Sequence, residues 1–285
     1  MFSMSRRLRR TLLTTLAATL GTVAVVTPMA TAAPGHQSAE PRPTVVLVHG
    51  AWADSAGWDG VVKRLQRDGY KVTAPGNPLR SLTGDSAYLA AYLKTIPGPV
   101  VLVGHSYGGA VITNAAAQSP NVKALVYVAA FALDKGESSN EMLGKFPGSR
   151  LTDDPAAPVP TALNAVPFPQ ADGTKGVDLY IKPDKFRDVF VSNRLSASTS
   201  ASLATTQRAI SAQAGAEHSG APAWKSIPSW YVVASKDHVI PAAAERYMAK
   251  RAGSHTTEID ASHAVHVSNP GAVTRIVERA ASQVG

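Results

Sequence analysis

Apolar residues along this chain form short, nearly continuous runs that alternate with segments of helical spacing. The runs predict buried strands at residues 44–48, 70–74, 99–103, 122–130, 229–233 and 256–259. Helical spacing is found at residues 61–66, 85–94, 107–118, 242–251 and 270–282. Continuously apolar strands that take turns with helices are typical of a parallel sheet covered on both faces. We therefore predict an α/β fold with a mainly parallel sheet of about six strands and helices on both faces.

The alternation breaks between about residues 133 and 225. Pro, Gly, Ser and Asp are frequent there, and only scattered amphipathic stretches such as 184–191 occur. The strand and helix pattern then resumes at residue 229, and a chain of 285 residues fits one large domain or two small ones. We assign residues 44–285 to a single α/β domain with a lid-type insertion between its fourth and fifth core strands.

The first 32 residues have the pattern of a secretory signal peptide. Four arginines between residues 6 and 10 precede an apolar stretch at 11–26, and small residues follow at 30–33. Threonines and a glycine interrupt that stretch, and it is short for a membrane span, so we expect cleavage rather than a stable anchor. We predict a secreted protein with a flexible lead-in at 33–43, and the choice between general and twin-arginine export stays open.

The basic composition belongs largely to this first segment. The formal net charge is +8, and removing residues 1–32 with their four arginines leaves +4. No Lys/Arg-rich run with interleaved aromatic residues occurs after residue 32, so nucleic-acid binding is not expected. The chain has no cysteine, which excludes a disulfide framework, a thiolate nucleophile and thiolate metal ligands.

The segment Gly104-His105-Ser106-Tyr107-Gly108-Gly109 has the G-x-S-x-G spacing of a nucleophile elbow, and it lies between a predicted strand and a predicted helix. On such a turn a strained backbone lifts the serine side chain above the sheet. Glycines at 104 and 108 avoid collisions with the neighbouring strand and helix. The amide of Tyr107, at the helix N-terminus, would face negative charge that develops on an oxygen. The alternative is a tight turn with an idle serine.

With this elbow the chain resembles the α/β-hydrolase superfamily, and within it the small lidded esterases related to plant methyl esterases and hydroxynitrile lyases. Two further motifs carry the resemblance: the turn Val48-His49-Gly50-Ala51-Trp52 after the first strand, and the pair Asp237 and His263 after the last two strands. The resemblance runs from about residue 43 to the C-terminus, interrupted by the insertion. It implies the α/β-hydrolase fold and a serine nucleophile.

The turn after the first strand matches the position where family members place a second oxyanion amide. The resemblance assigns this role to Ala51, and Trp52 beside it is a candidate substrate-binding residue. The chemistry also requires a second N–H donor aimed at the same oxygen, and a glycine-containing turn lets the backbone approach closely. We interpret His49 as a structural residue that anchors the turn.

A serine hydroxyl needs a histidine to remove its proton and an acid to orient that histidine. The resemblance implies the chain order Ser, Asp, His. Asp237 follows the strand at 229–233, at the strand end where sites of open α/β sheets form, and His263 follows the last strand. We predict Ser106 as nucleophile, His263 as base and Asp237 as acid, with Asp134 as the rival acid.

Two other histidines lie near these residues in sequence, His266 three positions after His263 and His238 next to Asp237. A metal site made of His263 and His266 would lack further ligands at recognisable spacing. We therefore expect no metal and no cofactor.

These residues predict a secreted serine hydrolase that cleaves a small carboxylic ester through an acyl-enzyme. The alternatives are a perhydrolase activity or a cyanohydrin-cleaving lyase on the same triad, and a binding protein without catalysis. The resembling lyases place a lysine and a threonine where this chain has Ala264 and Gly50, so the cation for cyanide is missing. The oligomeric state stays open. Six residues of the insertion are candidates to line an acyl pocket, or simply to pack the lid: Phe146, Leu151, Phe168, Tyr180, Phe186 and Phe190.

Overall fold

The computed structural model describes residues 42–192 and 194–284, so the predicted signal peptide and nearly all of the lead-in lie outside the described residues. The strands are β1 (Thr44–Val48), β2 (Val72–Thr73), β3 (Val100–Ser106), β4 (Val122–Ala130), β5 (Leu163–Pro169), β6 (Lys175–Ile181), β7 (Ile210–Ser211), β8 (Ser229–Ala234) and β9 (His255–Ile259). The α-helices are α1 (Asp59–Arg67), α2 (Leu82–Leu93), α3 (Tyr107–Ala116), α4 (Ser139–Lys145), α5 (Pro183–Val189), α6 (Ala197–Thr206), α7 (Ala212–Ala216), α8 (Ala242–Arg251), α9 (Val265–Ser268) and α10 (Pro270–Ala281). Short 3₁₀ helices cover Ser55–Trp58 and Ala223–Lys225.

Six strands form one parallel sheet in the order β2-β1-β3-β4-β8-β9. The predicted fold class is thereby confirmed. The edge strand β2 is shorter than the run that predicted it, with only two residues paired to β1.

Helices cover both faces of this sheet because successive strand residues point to opposite sides. Val45 and Leu47 of β1 join the apolar cluster that contains residues of α1 and α10. Val46 and Val48 join the cluster that contains residues of α2, α3 and α8. Within the described ranges, no helix has the length and apolar character that a bilayer crossing needs.

The segment between β4 and β8 contains a small antiparallel sheet, β5-β6-β7, and helices α4 to α7. We call this segment, residues 131–228, the cap. The sequence analysis did not predict its sheet, although Asp172-Gly173 between two strands is a strong hairpin-turn signal. Most residues of β5 are exposed, so the strand lacks the buried apolar run that revealed the core strands.

The register of the parallel strands brings four loops together at one edge of the sheet. Val48 of β1 pairs with Gly104 of β3, so the turn after β1 lies beside the turn that carries Ser106. Ala234 of β8 pairs with Ile259 of β9, so the loops after these two strands are also neighbours. Carboxyl ends of parallel strands are where open α/β sheets bind ligands.

Candidate active site

Ser106 lies on a strained turn between β3 and α3, with φ 55° and ψ −127°. A positive φ is uncommon for a residue that carries a side chain, and such strain persists only where the surroundings fix it. A Cβ on Gly104 would lie 2.6 Å from the carbonyl oxygen of Gly108, and a Cβ on Gly108 would lie 2.6 Å from that of Val48. The glycines are therefore required by close backbone approach, as the sequence predicted.

The turn after β1 packs directly against this elbow. A Cβ on Gly50 would lie 2.6 Å from the Cβ of Ser106 and 3.1 Å from the backbone nitrogen of Tyr107. Ala51, Ser106 and Tyr107 all line the same cavity. The two predicted oxyanion donors therefore belong to adjacent turns on either side of the serine.

His263 and Asp237 form a fully buried pair. The Nδ1 of His263 lies 2.5 Å from Oδ2 of Asp237, and both side chains are shielded from solvent. The other carboxylate oxygen, Oδ1, accepts the backbone N–H groups of Val239 at 2.6 Å and Ile240 at 2.9 Å. These bonds fix the carboxylate, which in turn selects the imidazole tautomer with its proton on Nδ1.

The opposite nitrogen of His263, Nε2, is buried and makes no hydrogen bond to any described residue. In the tautomer that Asp237 selects, this atom carries a free lone pair and can accept a proton. The rival acid Asp134 instead forms an ion pair with Lys225 at 2.7 Å, near the protein surface. Asp237, not Asp134, therefore orients His263.

Two further buried histidines belong to the same cluster: His105 packs against His263, and His266 packs against His105. The ring centroid of His105 lies 4.6 Å from that of His263 and 4.1 Å from that of His266. His105 donates from Nε2 to the backbone oxygen of His263 at 2.9 Å. Burial lowers the pKa of His266 to about 3 and holds the pKa of His105 well below its usual value. Both rings therefore stay neutral beside His263.

His49 has the anchoring contacts that a structural residue needs. Its Nε2 accepts the backbone N–H of Asn77 at 2.9 Å, and the Asn77 side chain donates to the His49 carbonyl at 3.0 Å. The ring is fully buried, and burial lowers its pKa. His238 is also engaged elsewhere, with Nδ1 donating to the backbone oxygen of Asp188 at 2.9 Å.

A cavity of about 540 Å³ opens above Ser106, between the sheet edge and the cap. Its described lining residues are apolar or carry hydroxyl or amide groups, and none of them is charged: Ala51, Trp52, Ser106, Tyr107, Phe131, Ser139, Asn140, Leu143, Gly144, Ser149, Leu151, Thr152, Pro155, Pro158, Val159, Pro160, Leu163, Val177, Leu179, Ile210, Ser211, Ala212, Gly215 and Val239. No group of three or more His, Asp or Glu side chains within the described residues could hold a metal ion.

Of the six insertion residues proposed as pocket candidates, only Leu151 lines this cavity. Phe186 and Phe190 are buried and packed on each other, with ring centroids 4.9 Å apart. Phe190 also meets the ring of His263 edge-on, with centroids 5.2 Å apart, so it packs on the base. The other three candidates do not line the cavity either. Phe168 packs under the guanidinium of Arg80, and Phe146 packs against Tyr247. Tyr180 belongs to β6.

Trp52 lines the cavity and also ties the turn after β1 to the cap. Its indole Nε1 donates to the carbonyl of Leu179 on β6 at 2.9 Å. Its backbone N–H donates to the carbonyl of Arg208 at 2.9 Å. Trp52 has φ 56°, so these two bonds hold a strained residue in place.

Two buried carboxyl groups near the site escaped the sequence analysis. Asp85 on α2 accepts the phenol O–H of Tyr107 at 2.9 Å, and Glu245 on α8 accepts the backbone N–H of Ala234 at 3.0 Å. Both side chains are buried. Each lies on a helix where an acidic residue normally faces solvent, so the sequence carried no local signal for either contact.

Comparison with known proteins agrees with this architecture. The sequence model of the alpha/beta hydrolase family matches residues 45–276. The carbendazim hydrolyzing esterase of a Nocardioides species is 35% identical over 113 residues, which are 35% of this chain and 47% of that enzyme. The pyrethroid hydrolase of Sphingobium wenxiniae is 27% identical over 242 residues, 79% of this chain and 83% of that one. The crystal structure of polyneuridine aldehyde esterase superposes with a TM-score of 0.70 at 20% identity, covering 84% of this chain and 99% of that chain.

Proposed function

The chain belongs to the alpha/beta hydrolase family, and from that premise we propose that it is a serine hydrolase of uncharged carboxylic esters. The observation that carries the proposal is the buried hydrogen bond between His263 and Asp237, which leaves Nε2 of His263 without a partner, while Ser106 lines the cavity from its strained turn. Relatives named as esterases and hydrolases support the same class of reaction.

The reaction begins when Ser106 Oγ attacks the ester carbonyl carbon and its proton passes to Nε2 of His263. The carbonyl oxygen becomes an oxyanion, which the amides of Ala51 and Tyr107 stabilise. The C–O bond to the alcohol then breaks, and the alcohol leaves with the proton from His263. This step leaves an acyl group on Ser106.

The second half repeats these steps with water. His263 takes a proton from a water molecule, whose oxygen attacks the acyl carbon. The bond to Ser106 Oγ breaks, the serine recovers its proton, and a carboxylic acid is released. Asp237 keeps His263 in the reactive tautomer and stabilises its positive charge in both halves, because its carboxylate is fixed by two backbone amides.

The cavity supports a specific class of ester. A substrate that buries a carboxylate or an ammonium group without an oppositely charged partner loses roughly several kcal/mol of binding free energy. None of the described residues that line the cavity is charged, so none supplies such a partner. A volume of about 540 Å³ lies within the range of pockets for drug-sized ligands. We therefore expect an uncharged, mainly apolar ester, larger than the small one that the sequence suggested.

A fluorophosphonate probe and a series of p-nitrophenyl esters test the proposal. The wild-type protein should be labelled at Ser106 and should hydrolyse the esters, and Ser106→Ala should lose both properties. His263→Ala should reduce kcat by about 10³-fold or more. A folded wild-type protein that is neither labelled nor active would contradict the proposal and favour the binding alternative.

Substrate class needs a matched pair of esters. We expect kcat/KM for p-nitrophenyl pentanoate to exceed that for mono-p-nitrophenyl glutarate, in which a carboxylate replaces the terminal methyl group, by about 10²-fold or more. Equal values would contradict the charge argument and leave the hydrolase proposal intact. The lyase alternative gains no support, since Ala264 is buried and apolar and Gly50 has no room for a side chain.

We also propose export of the protein, on the basis of the basic and apolar segments within residues 1–32. Expression in a bacterial host, followed by N-terminal sequencing of the secreted form, should find a start at residue 33 or 34. Substituting Ala30 and Ala32 with bulky residues should retain the unprocessed form in the cells. An intact N-terminus on the mature protein would contradict cleavage.

A further inference from the structure

Glu245 is a buried carboxyl group for which the proposed reaction has no use. It lies in the first turn of α8 and has no solvent exposure. Its Oε2 accepts the backbone N–H of Ala234 at 3.0 Å. Its Oε1 is also buried and forms no regular hydrogen bond within the described residues, but the Glu245 side chain lies close enough to that of Asp237 for the two carboxyl groups to interact directly.

A chain of three hydrogen bonds leads from Glu245 to the base. Ala234 is the last residue of β8, and its carbonyl accepts the backbone N–H of Asp237 at 3.1 Å. Asp237 in turn holds His263 at 2.5 Å. Glu245 therefore anchors the end of β8, where the loop that carries Asp237 begins.

The charges around Glu245 favour its neutral form. Burial raises the pKa of Glu245 well above its usual value, and the negative charge of Asp237 raises it further. The phenol of Tyr231 is buried nearby and donates to the carbonyl of Ala130. Arg246 is the one cation found to oppose this shift among the described residues, and it is engaged at the surface with Glu258 at 2.6 Å.

We propose that Glu245 is a neutral positioning residue for the acid of the triad. The oxygen of Glu245 that carries no proton accepts the N–H of Ala234 and fixes the end of β8. Because Glu245 keeps its proton, Asp237 is the only negatively charged group of this carboxyl pair beside His263. This inference rests on the proposed hydrolase function, because the positioning matters only if Asp237 and His263 act on Ser106.

Two substitutions separate positioning from charge. Glu245→Gln keeps an acceptor oxygen and stays neutral. Its kcat should therefore stay within about twofold of wild type, and the pH at which kcat/KM is half-maximal should stay within about 0.2 pH units. Glu245→Leu removes the acceptor, so kcat should fall about tenfold at nearly unchanged KM. Met248→Ala, a cavity-forming change on the same helix, is the control for general loss of stability and should lower Tm without lowering kcat.

Either kinetic result can overturn the inference. A Glu245→Gln variant whose half-maximal pH falls by a unit would show that Glu245 acts as a charge. A Glu245→Leu variant with wild-type kcat would show that its bond to Ala234 does not position the acid. Wild-type protein without any esterase turnover would instead count against the proposed function.

Thermal unfolding supplies a test that does not need activity. A buried acid with a raised folded-state pKa contributes stability below its unfolded-state pKa and loses it as pH rises. The difference in Tm, Glu245→Gln minus wild type, should therefore become more positive as the pH is raised from 4.5 to 8. A difference that stays constant over this range would overturn the neutral assignment, and this test also decides the matter if Glu245→Leu fails to fold.

Discussion

Gly50 and Ser106 are packed so closely that a methyl group on Gly50 would stand 2.6 Å from the Cβ of Ser106. The contact joins the turn after β1 to the elbow after β3, whose strands are paired at Val48 and Gly104. It therefore fixes the distance between the amides of Ala51 and Tyr107. A side chain at position 50 would separate the two turns.

We expect Gly50→Ala to reduce kcat/KM by about 100-fold or more and to destabilise the fold by about 1–3 kcal/mol, because the neighbouring atoms belong to backbone and Cβ and cannot move aside. The measurements are ester hydrolysis and denaturant unfolding. Gly271→Ala is the control, since its methyl group would meet ordinary contacts at 3.6 Å from Arg64. Retention of wild-type kcat/KM in Gly50→Ala would show that the two turns are not coupled.

The pH dependence of hydrolysis should show a single ionisation on its acid side. Burial lowers the pKa of His266 to about 3 and also lowers that of His105, so neither ring takes up a proton between pH 5 and 8. The plot of log kcat/KM against pH should rise with a slope of one and then level off.

Kinetics on a neutral ester from pH 4.5 to 8.5 measure this slope. His218→Gln removes an exposed histidine whose partner is Glu141 and should leave the profile unchanged. A slope near two would mean that two groups, rather than one, control kcat/KM on the acid side and would contradict the neutrality of His105 and His266.

Trp52→Phe should weaken both the fold and substrate binding. The substitution removes the hydrogen bond from the indole to the Leu179 carbonyl, so we expect the free energy of unfolding to fall by about 1–2 kcal/mol. It also replaces a large side chain that lines the cavity with a smaller one, so KM for bulky esters should rise by roughly threefold to tenfold. Trp224→Phe loses an equivalent bond to the Leu133 carbonyl, at 3.0 Å, without touching the cavity. It should lower Tm similarly with unchanged KM, and equal KM effects in both variants would refute the role of Trp52.

Tyr107→Phe tests the buried bond to Asp85. The phenol donates to Oδ2 of Asp85, whose other oxygen accepts the backbone N–H of Arg80. Removing the donor leaves a buried carboxyl group under-satisfied, which should cost about 1–3 kcal/mol in urea unfolding. The backbone amide of Tyr107 remains, so kcat should fall by less than about tenfold; a loss as large as that of His263→Ala would mean that the phenol itself acts on the substrate.

The apolar runs and the elbow motif could be interpreted without tertiary information because both are local. A run such as 122–130 marks a strand that is buried on both faces, and β4 occupies that same span. The glycines of the elbow mark a turn that side chains would obstruct, and Gly104 and Gly108 indeed meet backbone atoms at 2.6 Å. The cap hairpin escaped notice because its strands are largely exposed and follow no buried run.

The parallel α/β sheet, the elbow at Ser106 and a short set of candidate acids and bases follow from the order of residues along the chain. The folded molecule was needed to show that Asp237 rather than Asp134 holds His263, that Phe190 packs on the base instead of lining the cavity, and that Glu245 contacts the end of β8. The two sets differ in the range of the interactions behind them. Hydrophobic periodicity and turn chemistry act over a few residues. The contacts of Asp237, Phe190 and Glu245 join residues far apart in the sequence, so they depend on the register of neighbouring strands and on how the cap packs against the sheet edge.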